Sequence, residues 1–178
     1  KSKFIDGSKV KEGDSILGLR SAGFRSNGFS LVRKILSDKF GEDWVHSSYG
    51  DGRTWGEVVL TPCLIYHRAL LGLLGGYGEK RAIDVHALAH ITGGGLEANV
   101  ERVVKGGLKP LFDNLWEPLE MMTKLMEMGN VPEADARTTW NMGTGMVLII
   151  APADEAAVIA ALPQFKVQRI GRVVKSHG

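Results

Sequence analysis

One cysteine, Cys63, in 178 residues excludes an internal disulfide and points to a reducing compartment, the cytoplasm. Its setting in LTPCLIY reads as a small buried hydrophobe. No apolar run approaches the roughly 20 residues of a membrane span, and the N-terminus has no signal-peptide core, so no membrane partner is expected. Charge of either sign is also scarce in excess. The net charge is +2, and Lys and Arg are scattered without a block interleaved with aromatics, which argues against a nucleic-acid partner. Metal-site spacing is missing as well. His86 and His90 are four apart with no glutamate between them, which is not the zinc-protease pattern, and no metal site is assigned. With 44% hydrophobic and 24% charged residues, the chain has the balance of a soluble globular protein and is read as one domain over 1–178.

Glycine is what the sequence has in quantity, 23 residues, three of them consecutive at Gly93, Gly94 and Gly95 in HITGGGL. Each glycine costs conformational entropy on folding, so a run of three needs a reason. It lies between IDVHALAHI, which reads as a strand, and a helical stretch from about Leu96 to Val104. Two readings stay open there. One is a tight packing turn; the other is a cradle of backbone N–H groups for an anion, helped by the helix dipole. The spacing matches neither a P-loop nor a dinucleotide fingerprint. His90 would face the bound group, Thr92 would add a hydroxyl, and Asn99 lies a turn into the helix. Two further glycine turns resemble it in kind: SAGFRSNG, with Ser26, Asn27 and Gly28, and NMGTG, with Asn141, Gly143 and Gly145. Loops of this sort line ligand clefts at strand ends.

Elsewhere the pattern predicts two short strands within 4–20 and a helix from Phe29, with apolar Phe29, Val32, Leu36 and Phe40 in line. Asn27 is its expected N-cap and Gly41 its stop. Residues 42–57 read as a polar surface excursion, and 58–77 as a strand leading into a short helix, broken at Pro62. PLEMMTKLMEMG reads as a helix opening at Pro118 and closed by Gly129, and MVLIIAP as a buried strand. ADEAAVIAALP reads as a helix with an acidic first turn, and FKVQRIGRVVK as the last strand. The sum is an α+β domain with a mixed, largely antiparallel sheet flanked by helices. No nucleophile, base and orienting group can be read together. Ser21, Ser26 and Ser30 have His46, His67, His86 and His90 as possible partners, with no geometry fixed.

GLRSAGFRSNGFSLVRKI, AHITGGGLEANVERV and TTWNMGTGMVLII, in that order, resemble the C-terminal domain of the aminoimidazole ribonucleotide (AIR) synthetase family, the phosphoribosylformylglycinamidine cyclo-ligases. The resemblance runs along nearly the whole chain. It implies a partly ferredoxin-like α+β domain and an ATP-dependent ring closure of formylglycinamidine ribonucleotide in de novo purine biosynthesis. It also implies that ATP and magnesium are held mainly by an N-terminal domain, which is the chain's partner, and that the full-length enzyme is a homodimer. His90, Thr92, Gly93, Gly94 and Gly95 then match a cleft loop suited to phosphate. Ser26, Asn27 and Gly28, and Asn141, Gly143 and Gly145, match its companion loops. Ala22 and Arg25 stand where the family usually has serine and histidine, and Arg25 is expected to bind phosphate; Trp140 replaces a usual phenylalanine. The chain begins at Lys1 with nothing that matches the ATP-binding half, so a fragment, inactive alone, is expected. Two other readings remain. One is a relative in the same superfamily, such as formylglycinamide ribonucleotide amidotransferase, selenophosphate synthetase or thiamine-phosphate kinase. The other is a non-catalytic ligand-binding module.

Overall fold

The structure is a computed structural model that describes residues 4–76 and 78–176. Five strands form one sheet: β1 (Ser15–Arg20), β2 (Val85–His90), β3 (Leu108–Phe112), β4 (Thr144–Ile150) and β5 (Val167–Lys175), in the order β2-β4-β1-β5-β3. All four pairings are antiparallel, which sharpens the expected mixed, largely antiparallel sheet to an antiparallel one.

Alternation along the strands divides the apolar side chains between two faces. Ile16, Val147 and Ile149 join Val100 of helix α4 (Gly95–Glu101), with Trp116 beside them. Leu17, Leu19, Leu148 and Ile150 pack against α3 (His67–Leu74) and α7 (Glu155–Ala161), through Leu70, Leu73 and Val158. A third cluster contains no strand residue. It gathers α1 (Phe29–Phe40), α2 (Trp55–Val59), α5 (Glu120–Gly129) and α6 (Glu133–Thr139) around Phe24, Leu36, Met122, Leu125 and Trp140. The register pairs Arg20 with Thr144 and His90 with Met146. The exits of β1 and β2 and the entry of β4 therefore lie at one end of the sheet, where this helical cluster joins it.

Several sequence expectations change. Residues 4–14 form turns rather than a strand, with left-handed Gly7 and Gly13 reversing the chain. Gly28, not Asn27, caps α1, and no side chain accepts from its first turn. Gly41 does end the helix, its N–H donating to the Ser37 carbonyl. The stretch 42–57 is not all surface. Tyr49 and Trp55 are buried and meet edge to face at 4.9 Å, and Thr54 and Glu57 form a reciprocal capping box that starts α2. Residues 61–66 pair with no strand, since Pro62 has no N–H to offer a ladder. Cys63 is exposed there. Helix α5 begins two residues after Pro118 and ends at Gly129 as expected, followed by left-handed Asn130.

Candidate anion-binding site

The three glycine turns meet at the sheet end described above and are bonded to one another. Thr92 Oγ1 donates to Asn27 Oδ1 at 3.2 Å, which ties the GGG loop to SNG. Asn141 Nδ2 donates to the Gly23 carbonyl at 2.8 Å, and Ser21 N–H to the Gly143 carbonyl at 2.9 Å, which ties SNG to NMGTG. Ile91 N–H to Gly145 O at 3.2 Å and Gly94 N–H to Thr138 O at 3.1 Å close the ring of contacts.

The glycines differ in why they must be bare. Gly94 and Gly95 have φ of +96° and +73°, the left-handed region that side chains disfavour. A Cβ on Gly95 would also overlap the carbonyl oxygen of Arg137 at the end of α6. Their N–H groups are already occupied, that of Gly94 by Thr138 and that of Gly95 by Thr92. These two glycines satisfy the packing reading. Gly93 is different. It has no left-handed φ, the nearest atom to an added Cβ is Asn27 Oδ1 at 3.9 Å, and it is exposed. Among the described residues nothing accepts from its N–H. In the companion loops, a Cβ on Gly28 would strike the Trp140 ring. One on Gly143 would strike the Arg20 guanidinium, and one on Gly145 the Tyr66 hydroxyl.

Two predicted site residues also brace the loops. Asn99 is 3% exposed, and its Nδ2 donates to the carbonyls of Thr92, Gly93 and Gly95 at 3.2, 3.3 and 2.6 Å. Its Oδ1 accepts from Arg102. Asn141, also 3% exposed, holds Gly23 with its Nδ2 and the Gly143 N–H with its Oδ1. Both fix the loops, and Asn141 also lines the cavity described below. The set that retains open polar groups is Arg25, Ser26, His90, Thr92 and Gly93.

Arg25 and Ser26 are consecutive residues in the left-handed region, φ 54° and 62°. Such a backbone costs roughly 1–3 kcal/mol per residue and persists where the surroundings impose it. Asn27 Nδ2 donates to the Arg25 carbonyl at 2.9 Å. The guanidinium lies 5.0 Å over the Tyr66 ring, donates from Nη1 to the Leu64 carbonyl at 3.2 Å, and places Nη2 2.5 Å from His90 Nε2. Its Nε is buried with no acceptor, and among the described residues no carboxylate pairs with it. A half-buried cation without a counter-ion is poised for an anion. The His90 imidazole is held below its ordinary pKa by loss of water around the ring and then by the Arg25 charge, although the residue is exposed overall. Burial pushes the Tyr66 phenol up, so it stays neutral.

Sequence reasoning missed Arg20. Its guanidinium sits 5.2 Å over Trp116, donates to the Glu117 carbonyl at 2.9 Å and lies against Gly143. Burial lowers its pKa, and among the described residues it too has no carboxylate partner. An arginine at a strand end carries no local signal that separates it from a solvated one. Between the glycine loops and Trp116 lies a cavity of about 310 Å³, lined by Gly94, Leu96, Trp116, Trp140, Asn141 and Thr144 among others. That size admits a small ligand. Among the described residues no group of three His, Cys, Asp or Glu side chains converges as metal ligands, and no helix is long and apolar enough to cross a membrane. His86 is instead paired with buried Asp14, Nδ1 to Oδ2 2.6 Å, at the start of β2 and far along the strand from His90.

Residues 11–178 match the family described as AIR synthase related protein, C-terminal domain. A phosphoribosylformylglycinamidine cyclo-ligase of Anaeromyxobacter sp. (strain K) is 40% identical over 161 residues, 90% of this chain and 45% of its own length. One from Rippkaea orientalis is 38% identical over 182 residues, 100% of this chain and 51% of its own. The chain thus spans about half the length of the curated relatives it matches. Solved structures of like fold include E. coli HypE, a hydrogenase maturation protein, with TM-score 0.58 and 20% identity over 97% of this chain and 47% of that one. Thiamine-monophosphate kinase from Stenotrophomonas maltophilia has TM-score 0.54 and 17% identity, over 98% and 51%. At such identities the likeness is one of fold.

Proposed function

The chain belongs to the AIR synthase related protein C-terminal domain family, and on that premise we propose that it forms the substrate-cleft half of a phosphoribosylformylglycinamidine cyclo-ligase. In the reaction, ATP phosphorylates the formamide oxygen of formylglycinamidine ribonucleotide. An amidine nitrogen then attacks that carbon, the imidazole ring closes, and inorganic phosphate leaves, giving aminoimidazole ribonucleotide for purine synthesis in the cytoplasm. The observation that carries the reading is that the three loops are bonded to one another at the sheet end where Arg25, a half-buried cation with no carboxylate partner among the described residues, meets His90. Arg25, Ser26, His90, Thr92 and the Gly93 N–H would hold the ribose phosphate, while Asn99, Asn141 and the remaining glycines keep the loops in place.

On the family resemblance, ATP and magnesium would be held mainly by the other half of the longer relatives, of whose length this chain spans about half. This chain's partners would be that half and, in the full-length enzyme, a second subunit. Alone, the chain would bind phosphate and fail to turn substrate over. The test joins this chain to an ATP-binding half and follows aminoimidazole ribonucleotide formation, beside phosphate binding by the chain alone. Turnover of a different phosphorylated substrate, such as thiamine phosphate, by the joined protein would overturn the assignment. So would substrate-dependent ATP hydrolysis by the isolated chain.

A further inference from the structure

His90 ends β2 at the rim of the GGG loop, and its Nε2 meets Arg25 Nη2 at 2.5 Å. A guanidinium does not give up its proton in proteins and offers only donors. At this contact His90 Nε2 must therefore present its lone pair, which leaves the ring proton on Nδ1. The contact is not a chance rotamer of a free side chain. Arg25 is fixed at three further points: the left-handed backbone at φ 54°, the Leu64 carbonyl on Nη1, and the Tyr66 ring beneath Cζ. Tyr66 is fixed in turn by its hydroxyl donating to the Arg20 carbonyl at 2.8 Å.

We propose that Arg25 acts as a positioning residue that holds His90 as the neutral, Nδ1-protonated tautomer, so that the loop rim offers a permanent N–H donor beside a permanent cation. Protonating Nε2 would break the contact and set two cations side by side. Among the described residues Arg25 is the one charged group acting on the ring. Tyr66, Cys63 and His67 line the same pocket as the guanidinium, in the segment that leads into α3 and at the start of that helix. A phosphate or carboxylate oxygen can then accept from Nδ1–H with no proton taken up from solvent. Anion binding through His90 should accordingly stay level across the range in which a free imidazole titrates. This consequence for a ligand rests on the anion reading above, whereas the tautomer itself does not.

Ring ¹⁵N spectra of the labelled chain test the inference directly. The expected result is His90 with a protonated Nδ1 and a bare Nε2 from pH 6 to 8, and a midpoint below the ordinary imidazole value of about 6.5. In Arg25→Gly, and in Arg25→Asn as a second residue that accepts left-handed φ, His90 should shift toward the Nε2–H form and its midpoint should rise. A purely structural Arg25 would change the melting temperature and leave the tautomer alone. Finding Nε2–H in the unmodified chain, or the same midpoint in both variants, would overturn the proposal. Inorganic phosphate added to the same samples separates the two readings. Shifts at the Gly93 amide with an Nε2–H imidazole would keep the anion site and remove the tautomer lock. An Nδ1–H imidazole with no phosphate response would keep the lock and remove its ligand consequence.

Discussion

Gly93 and Gly95 stand two residues apart, and the structure assigns them opposite reasons for being glycine, so the same substitution should act in opposite directions. Alanine at Gly95 must take a left-handed φ of +73°, which costs roughly 1–2 kcal/mol. It must also displace the Arg137 carbonyl and with it the end of α6, an overpacking that costs roughly 1–3 kcal/mol. The sum is about 2–5 kcal/mol, and at roughly 2–4 °C per kcal/mol for a chain of this size the melting temperature should fall by about 4–20 °C. Alanine at Gly93 meets nothing closer than 3.9 Å and needs no left-handed backbone. Its main effect is to restrict the unfolded chain, a gain of about 0.4–1 kcal/mol, so the melting temperature should rise slightly. Phosphate binding should behave the other way round. Gly93→Val places a branched side chain over a loop amide that has no acceptor among the described residues, and affinity should fall about tenfold or more, equivalent to about 1.4 kcal/mol. Calorimetric melting and phosphate titration of the three variants read both quantities. Unchanged phosphate affinity in Gly93→Val would reduce the whole loop to a packing turn, and a Gly95→Ala chain as stable as its parent would refute the close-approach argument.

Asn99→Ala removes the donor shared by three carbonyls and should cost about 2–3 kcal/mol, seen in denaturant melts; a cost below 0.5 kcal/mol would show that the brace is dispensable. His86→Ala leaves the fully buried Asp14 carboxylate without its 2.6 Å partner and should cost about 3–5 kcal/mol. Adding Asp14→Asn should recover part of that loss, and strict additivity would argue against direct coupling. Trp140→Phe sheds a buried indole N–H that has no acceptor while losing some ring area, opposing effects of roughly 1–2 kcal/mol each. Its melting temperature should stay within about 3 °C of the parent. For pH, the folded His90 pKa lies below its unfolded value, so its share of stability is complete above about pH 6.5 and is lost as pH falls through the lowered value. Arg25→Gly should flatten that acid-side slope in melts from pH 7.5 to 5, and an unchanged slope would assign the shift wholly to burial.

Where the sequence was legible, burial and periodicity coincided. SILGLR and TGMVLII are apolar on both faces because the two strands lie centrally in the sheet, and α1 shows its buried Val32, Ile35 and Leu36 at helical spacing. Where it was not, one of the two was missing. Helix α6 buries only Ala136, so EADARTT has no apolar stripe to detect. β3 is an edge strand that alternates half-buried and exposed residues and contains Pro110, which reads as a mixed stretch. The excursion at 42–57 hid Tyr49 and Trp55 among turn formers, although Thr54 and Glu57 stood at capping-box spacing.

The site follows a different logic. The three glycine motifs were visible as local patterns, and their meeting at one sheet end follows from strand order. What the linear pattern hid was how hydrogen bonds divide the labour among them. Asparagine, glycine and threonine in a loop look equally available to a ligand until each donor is traced to its acceptor. Tracing them shows Asn99 and Asn141 bracing the loops and the amides of Gly94 and Gly95 already bonded. The groups that stay open include Gly93, Thr92, His90 and Arg25. Among these only Arg25 carries a fixed charge, and it is also the residue that stands where the family resemblance leads one to expect histidine. A neutral imidazole at that position would leave the rim without a permanent cation; the guanidinium supplies one, and it sets the protonation of His90 at the same time. The chemical character of the rim therefore turns on a residue that departs from the motif, supported by residues that keep it.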